Sequence, residues 1–159
     1  QTLSNHKMDM LALEIIQAKA ALKAGMADYF INRFKPEDQI RVFKDFQSES
    51  AFIDIETTGL TSKDVITTIA VMKGRNIHVF INGIDLPGFI SVLKDIKLII
   101  TFNGARFDLP FLRRHFSFDL NIPHLDMLPI LSDLGFKGGQ KKCENWFNLK
   151  RKYSEVSKL

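Results

Sequence analysis

The stretch AFIDIETTGL, residues 51–60, decides how this chain is read. It alternates like a strand, yet Asp54 and Glu56 stand one residue apart in an otherwise apolar run. Side chains two apart on a strand project to the same face, so the two acids share one side and Ile53 and Ile55 the other. Carboxylates are rarely buried unless paired. Two side by side push one another toward the neutral form unless a cation sits between them. Hard divalent ions such as Mg²⁺ or Mn²⁺ take oxygen ligands and supply that charge. The competing reading is a half-exposed edge strand with two solvated acids. The next residues, TTGL, weigh toward a ligand site, because a glycine right after the acids suits a turn where backbone approaches a ligand closely.

A second constellation lies in TFNGARFDLPFL, residues 101–112. An apolar strand ends at Asn103-Gly104, and Asp108 follows in a segment of helical character, where Pro110 is tolerable in the first turn. If that helix crosses the sheet, Asp108 reaches the strand ends that carry Asp54 and Glu56. Otherwise Asp108 is only an acid at a helix N-terminus, stabilised by the dipole.

Working outward, 159 residues suit one domain with a real core. The hydrophobic fraction of 45% and charged fraction of 25% are those of an ordinary globular chain. No apolar segment approaches the length of a membrane span, and QTLSNHKMDM lacks the layout of a secretory signal, so no membrane partner is expected. A lone Cys143 excludes an internal disulfide framework and fits a reducing, cytoplasmic location. Net charge is +4, with Lys137, Lys141, Lys142, Lys150, Arg151, Lys152 and Lys158 set against Glu144 and Glu155 near the end. That is either a solvated helix face or a contact surface for a nucleic-acid backbone, which Lys and Arg bind by releasing counterions.

The pattern from Met8 to Ala24 predicts a helix closed by Gly25. A second is expected from Pro36 to about Phe46, with Glu37 and Asp38 in its first turn. Residues 1–47 therefore read as an N-terminal helical extension to a domain at 48–159. Three strands follow in SAFIDIET, VITTIAVMKG and NIHVFING, the last two joined by a hairpin turn at KGRN. LPGFISVLKDI reads as a helix, KLIITFNG as a strand covered on both faces, and IPHLDMLPI as a short fifth strand. The expected class is α/β: a mixed sheet, three antiparallel strands and then parallel ones, flanked by helices.

FIDIETTGL followed by FNGARFDLPFL resembles the first two motifs of the DEDD exonucleases, which have a ribonuclease H-like fold. Similar chains are the proofreading domains of family B DNA polymerases and the stand-alone ribonuclease H-like predicted exonucleases. The resemblance covers about residues 50–140 and implies a metal-dependent 3′-5′ exonuclease. Its substrate would be the 3′ end of single-stranded DNA or RNA, and its two ions would be Mg²⁺ or Mn²⁺. It implies that Asp54 bridges both ions, that Glu56 serves the water-activating one and that Asp108 serves the second. Thr57, Gly59 and Leu60 resemble the turn that holds the terminal nucleotide. Asn103 resembles the polar residue near the scissile nucleotide, and Phe107 the packing residue beside Asp108.

The family also uses a fourth acid, an Asp preceded four positions earlier by Tyr or His. Tyr153 is followed at that spacing by Ser157, and His124 and Asp126 are wrongly spaced. Asp126 reads as a local polar residue at a strand end, and Glu144 and Glu155 as surface charge. The expectation is a domain incomplete at its C-terminus. The alternative is an inactive nucleic-acid-binding module in which Arg106, Arg113, Arg114, Trp146 and Tyr153 engage a single strand.

Overall fold

The computed structural model describes residues 5–117 and 119–151. Its centre is strand β1 (Ser50–Thr57), which carries Asp54 and Glu56. β1 pairs antiparallel with β2 (Ile66–Lys73), which pairs antiparallel with β3 (Asn76–Ile81). On the other side lie β4 (Leu98–Thr101) and β5 (His124–Asp126), both parallel, giving the order β3-β2-β1-β4-β5. Gly74, at φ +60°, makes the tight reversal between β2 and β3, as KGRN predicts.

Seven α-helices surround the sheet among the described residues: α1 (Asn5–Lys23), α2 (Ala27–Ile31), α3 (Ile40–Phe46), α4 (Phe89–Val92), α5 (Asp108–Phe116), α6 (Met127–Asp133) and α7 (Gln140–Trp146). None is long and apolar enough to cross a membrane. The helix expected from Pro36 is in two parts, a 3₁₀ turn over Pro36–Asp38 and then α3. The helix expected at LPGFISVLKDI is broken into 3₁₀, α4 and 3₁₀ segments. Pro87, Gly88 and β-branched neighbours are poor helix formers, and the inward spacing of Leu86, Phe89, Leu93 and Ile96 holds the chain on the sheet instead. The fifth strand stops early because Asp126 caps α6, its carboxylate accepting from the Leu128 amide at 3.0 Å.

Burial follows the two-residue period. Ile53, Ile55, Ile69 and Val71 enter one core layer with Phe89, Leu109 and Leu112, beneath α4 and α5. The opposite layer joins Ala27, Val42 and Phe46 to Leu98, Ile100 and Leu125. α2 and α3 thus back the sheet at its β4–β5 end, and Phe43 of α3 reaches Phe52 on β1 at 5.9 Å. On that same side, β1–β3 present the rows Phe52–Met72–Ile77, Asp54–Ala70–Val79 and Glu56–Thr68–Ile81.

Candidate functional site

β1 and β4 stay paired only from Ser50 to Phe52, and beyond that point they part like a fork. Asp108, the first residue of α5, fills the fork. Its Oδ1 accepts from the Ile55 amide at 3.1 Å, taking the place of a missing strand partner. The side chain is buried, with Asp108 only 3% exposed. Helix position therefore delivers Asp108 to the backbone of Ile55, between Asp54 and Glu56.

Electrostatics tie the acids into a chain. Burial holds the Asp108 carboxyl up at about 7, and the Asp54 and Asp126 charges add to the rise. Hydrogen bonds from its own amide and that of Ile55 pull the other way. Burial also raises Asp54, Glu56 raises it further, and Arg151 opposes them. Oxygen donors carrying surplus negative charge suit Mg²⁺ or Mn²⁺. The arrangement is nonetheless an open one: among the described residues, no three His, Cys, Asp or Glu side chains gather closely enough to hold an ion.

The turn after β1 is organised around Asp64, which the sequence reading passed over. Its carboxylate accepts from the Thr58 hydroxyl at 3.0 Å and from the Thr61 amide and hydroxyl at 2.8 and 2.6 Å. These bonds, led by that of the Thr61 hydroxyl, hold Asp64 below the usual carboxylate range. Arg114 donates to the Asp64 carbonyl. A Cβ on Gly59 would come within 2.7 Å of the Asp64 carboxylate, so the space that glycine opens is filled from inside the chain. Thr57 donates to the Gly59 carbonyl at 2.6 Å, and Leu60 stands 83% exposed at the tip.

The second turn is tied down by Asp126. Its two oxygens accept from the amides of Asn103 (2.8 Å) and Ala105 (3.1 Å), and Asn103 sits at φ +64°. This is more than a local strand-end role: Asp126 fixes the loop that launches α5. A Cβ at Gly104 would collide with the Thr101 hydroxyl, which accepts from the Gly104 amide and pairs with His124 at 2.8 Å. Burial holds His124 below its ordinary pKa. Phe107 precedes Asp108 at the N-cap of α5, and its ring meets that of Phe111 tilted at 5.0 Å.

Beyond the acids, Asp54 borders two hollows. One, about 600 Å³, is apolar and lies between the sheet and α6–α7, lined by Phe52, Ile100, Met127, Leu131 and Phe147. The other, about 790 Å³, is polar and brings Lys141, Lys142, Glu144 and Arg151 to Asp54 and Glu56. Arg151 grips Glu144 with two bonds of 2.6 and 2.8 Å, which also lower the Glu144 pKa. Nothing in the sequence pattern announces that Glu144 and Arg151 border the acids. Cys143 is buried, its thiol directed to the Phe136 carbonyl. Lys152, Tyr153, Glu155, Ser157 and Lys158 lie outside the described residues.

A mixed sheet forked over a buried acid, with helices on both sides, defines a ribonuclease H-like domain. Residues 51–159 match the RNase_H superfamily, and the chain belongs to it. The family B DNA polymerase from the hyperthermophilic archaeon Pyrobaculum calidifontis shares the fold, with TM-score 0.56 and 18% identity over 67% of this chain and 19% of that one. Brucella melitensis NrnC is similar at TM-score 0.50 and 20% identity, over 69% of this chain and 57% of that one. Its form with bound Mg²⁺ gives TM-score 0.50 and 21% identity, over 71% and 60%. The chain thus spans less than two thirds of the length of each. No curated protein matches it.

Proposed function

We propose that this chain is a metal-dependent nuclease of the DEDD type, acting from the 3′ end of single-stranded DNA or RNA. The observation that carries the reading is the position of Asp108, bonded to the Ile55 amide between Asp54 and Glu56, in a chain of the RNase H superfamily. Residues 48–159 form the nuclease domain in this reading. Residues 1–47 are the extension, whose α2 and α3 brace the sheet.

Asp54, Glu56 and Asp108 would hold two Mg²⁺ or Mn²⁺ ions, which supply an activated water and neutralise charge on the phosphate. The chain does the rest. The Asp64-knit turn presents Leu60, with Thr57 and Gly59, to the terminal nucleotide. Asn103 and Phe107 lie on the other bank, beside Asp108. Lys142 and Arg151 bring positive charge to the hollow where a phosphate backbone would run, and burial keeps bulk water away from Asp108.

End-labelled oligonucleotides incubated with Mg²⁺ or Mn²⁺ test the reading. Stepwise release of mononucleotides from the 3′ end, lost in Asp54→Ala, is expected. Equal release by that variant overturns the assignment. One observation favours a second reading: Arg151 already brings a cation to Asp54, and the acids stand open rather than caged. An inactive nucleic-acid-binding module predicts salt-sensitive binding without metal that survives Asp54→Ala.

A further inference from the structure

α7 turns Cys143 and the following Phe147 toward the apolar hollow over the sheet and leaves Trp146, its last residue, at the surface. Trp146 is 58% exposed. An indole normally spends its large area on a core or an interface, so one held this far out of the fold is available to a partner. It is also propped in place. The Phe136 ring meets it edge-to-face at 6.1 Å, and Phe136 packs in turn on Phe147 at 4.8 Å. The surrounding charge says what kind of partner fits. Residues 136–151 hold Lys137, Lys141, Lys142, Lys150 and Arg151 against one acid, Glu144, which Arg151 already engages. Lys142 links the indole to the acids. It borders the polar hollow with Asp54 and Glu56, and it stands four residues before Trp146 on the same side of α7. Gly138 makes room for the Lys142 stem, which a Cβ there would meet at 2.6 Å.

We propose that Trp146 is a stacking platform for a base of a bound single strand, with Lys142 holding the phosphate between that base and the acids. The strand's course rests on the nuclease reading: the 3′ end lies at the acids, and the chain upstream of it crosses α7. A nucleic-acid strand matches both features at once, since its phosphates answer the lysines and every base offers a π-face to the indole. An apolar protein segment would answer the indole alone, and the centres of protein interfaces are depleted of lysine. The spacing agrees. One turn of α7 covers about 5.4 Å, between one and two of the roughly 3.4 Å steps of a stacked strand. Stacking is indifferent to sequence, so this track grips any single strand. Trp146 is then a binding residue upstream of the cut, not a catalytic one.

The sequence has a single Trp, so its emission reports this site alone. In chelator, where no cleavage occurs, thymidine oligomers of about 8–16 nucleotides titrated into the whole chain should quench that emission to saturation. An abasic oligomer of equal length carries the same phosphates and should bind more weakly, without quenching. By anisotropy of an end-labelled oligomer, Trp146→Ala should weaken binding on the order of 10-fold while keeping its salt dependence, and Trp146→Phe should retain most of the affinity. Lys142→Ala should instead lower the slope of log K against log salt by about 0.7. Circular dichroism and melting check that the variants fold, and the abasic comparison needs no variant. Binding without quenching, equal quenching by the abasic oligomer, or unchanged affinity in folded Trp146→Ala overturns the proposal. So does an absence of binding at low salt. The nuclease reading keeps its own test, because release of mononucleotides in Mg²⁺ and its loss in Asp54→Ala do not require an upstream platform.

Discussion

The two sides of β1 share one backbone and serve opposite ends. Ile53 and Ile55 are 3% and 4% exposed, sealed under α4 and α5, while Asp54 and Glu56 one step away face a polar hollow. Strand alternation lets a single eight-residue segment do both. The sealed side supplies the stability that the other side spends, because gathering like charges opposes folding. A site of this kind needs a well-packed sheet directly behind it.

The sharpest way to break that contrast is to hollow out the sealed side. Ile69→Ala, at a fully buried position, should destabilise by about 2–5 kcal/mol in a denaturant titration. On the acid side, Asp54→Ala should lower nuclease turnover on the order of 100-fold or more while the melting temperature holds or rises, since a repulsive charge is gone. A variant that lost both would place Asp54 in the stabilising half.

The pH response sharpens the contrast further. With its folded pKa raised to about 7, Asp108 binds its proton more firmly in the folded state than in the unfolded one. Its contribution is complete below about pH 4 and is lost as pH climbs through 7, a change of about 2–4 kcal/mol. In chelator, unfolding free energy should therefore fall from pH 5 to pH 8. Asp108→Asn should flatten the slope. Smaller effects are expected at the margins. Asp64→Ala should lower the melting temperature only slightly, because the Thr58 and Thr61 donors it leaves are exposed and turn to water. Val79→Ala on the exposed face should change stability by less than about 0.5 kcal/mol.

The strand pattern was readable because period two is strong: SAFIDIET and the hairpin at Gly74 need only local rules. The pairing of Asp54 with Glu56 followed from the same spacing, and Asp108 from its place at the start of a helix after an apolar strand. What escaped was non-local or competitive. Asp64 looks like one more loop acid until the turn closes around it, and Asp126 gains its role from amides more than twenty residues away. Arg151 reaches the acids only through the path of α7, which no periodicity encodes. The broken helix at 86–96 reflects packing that overrides propensity, with Leu86 and Phe89 drawn onto the sheet.

The bond from Ile55 to Asp108 spans 53 residues of chain. Closing a loop of that size sacrifices about 3.5 kcal/mol of chain freedom, which only a sheet already assembled on both sides can offset. The contact between Asp108 and the segment of Asp54 and Glu56 is therefore expected late in folding, and a half-folded copy holds these carboxylates apart.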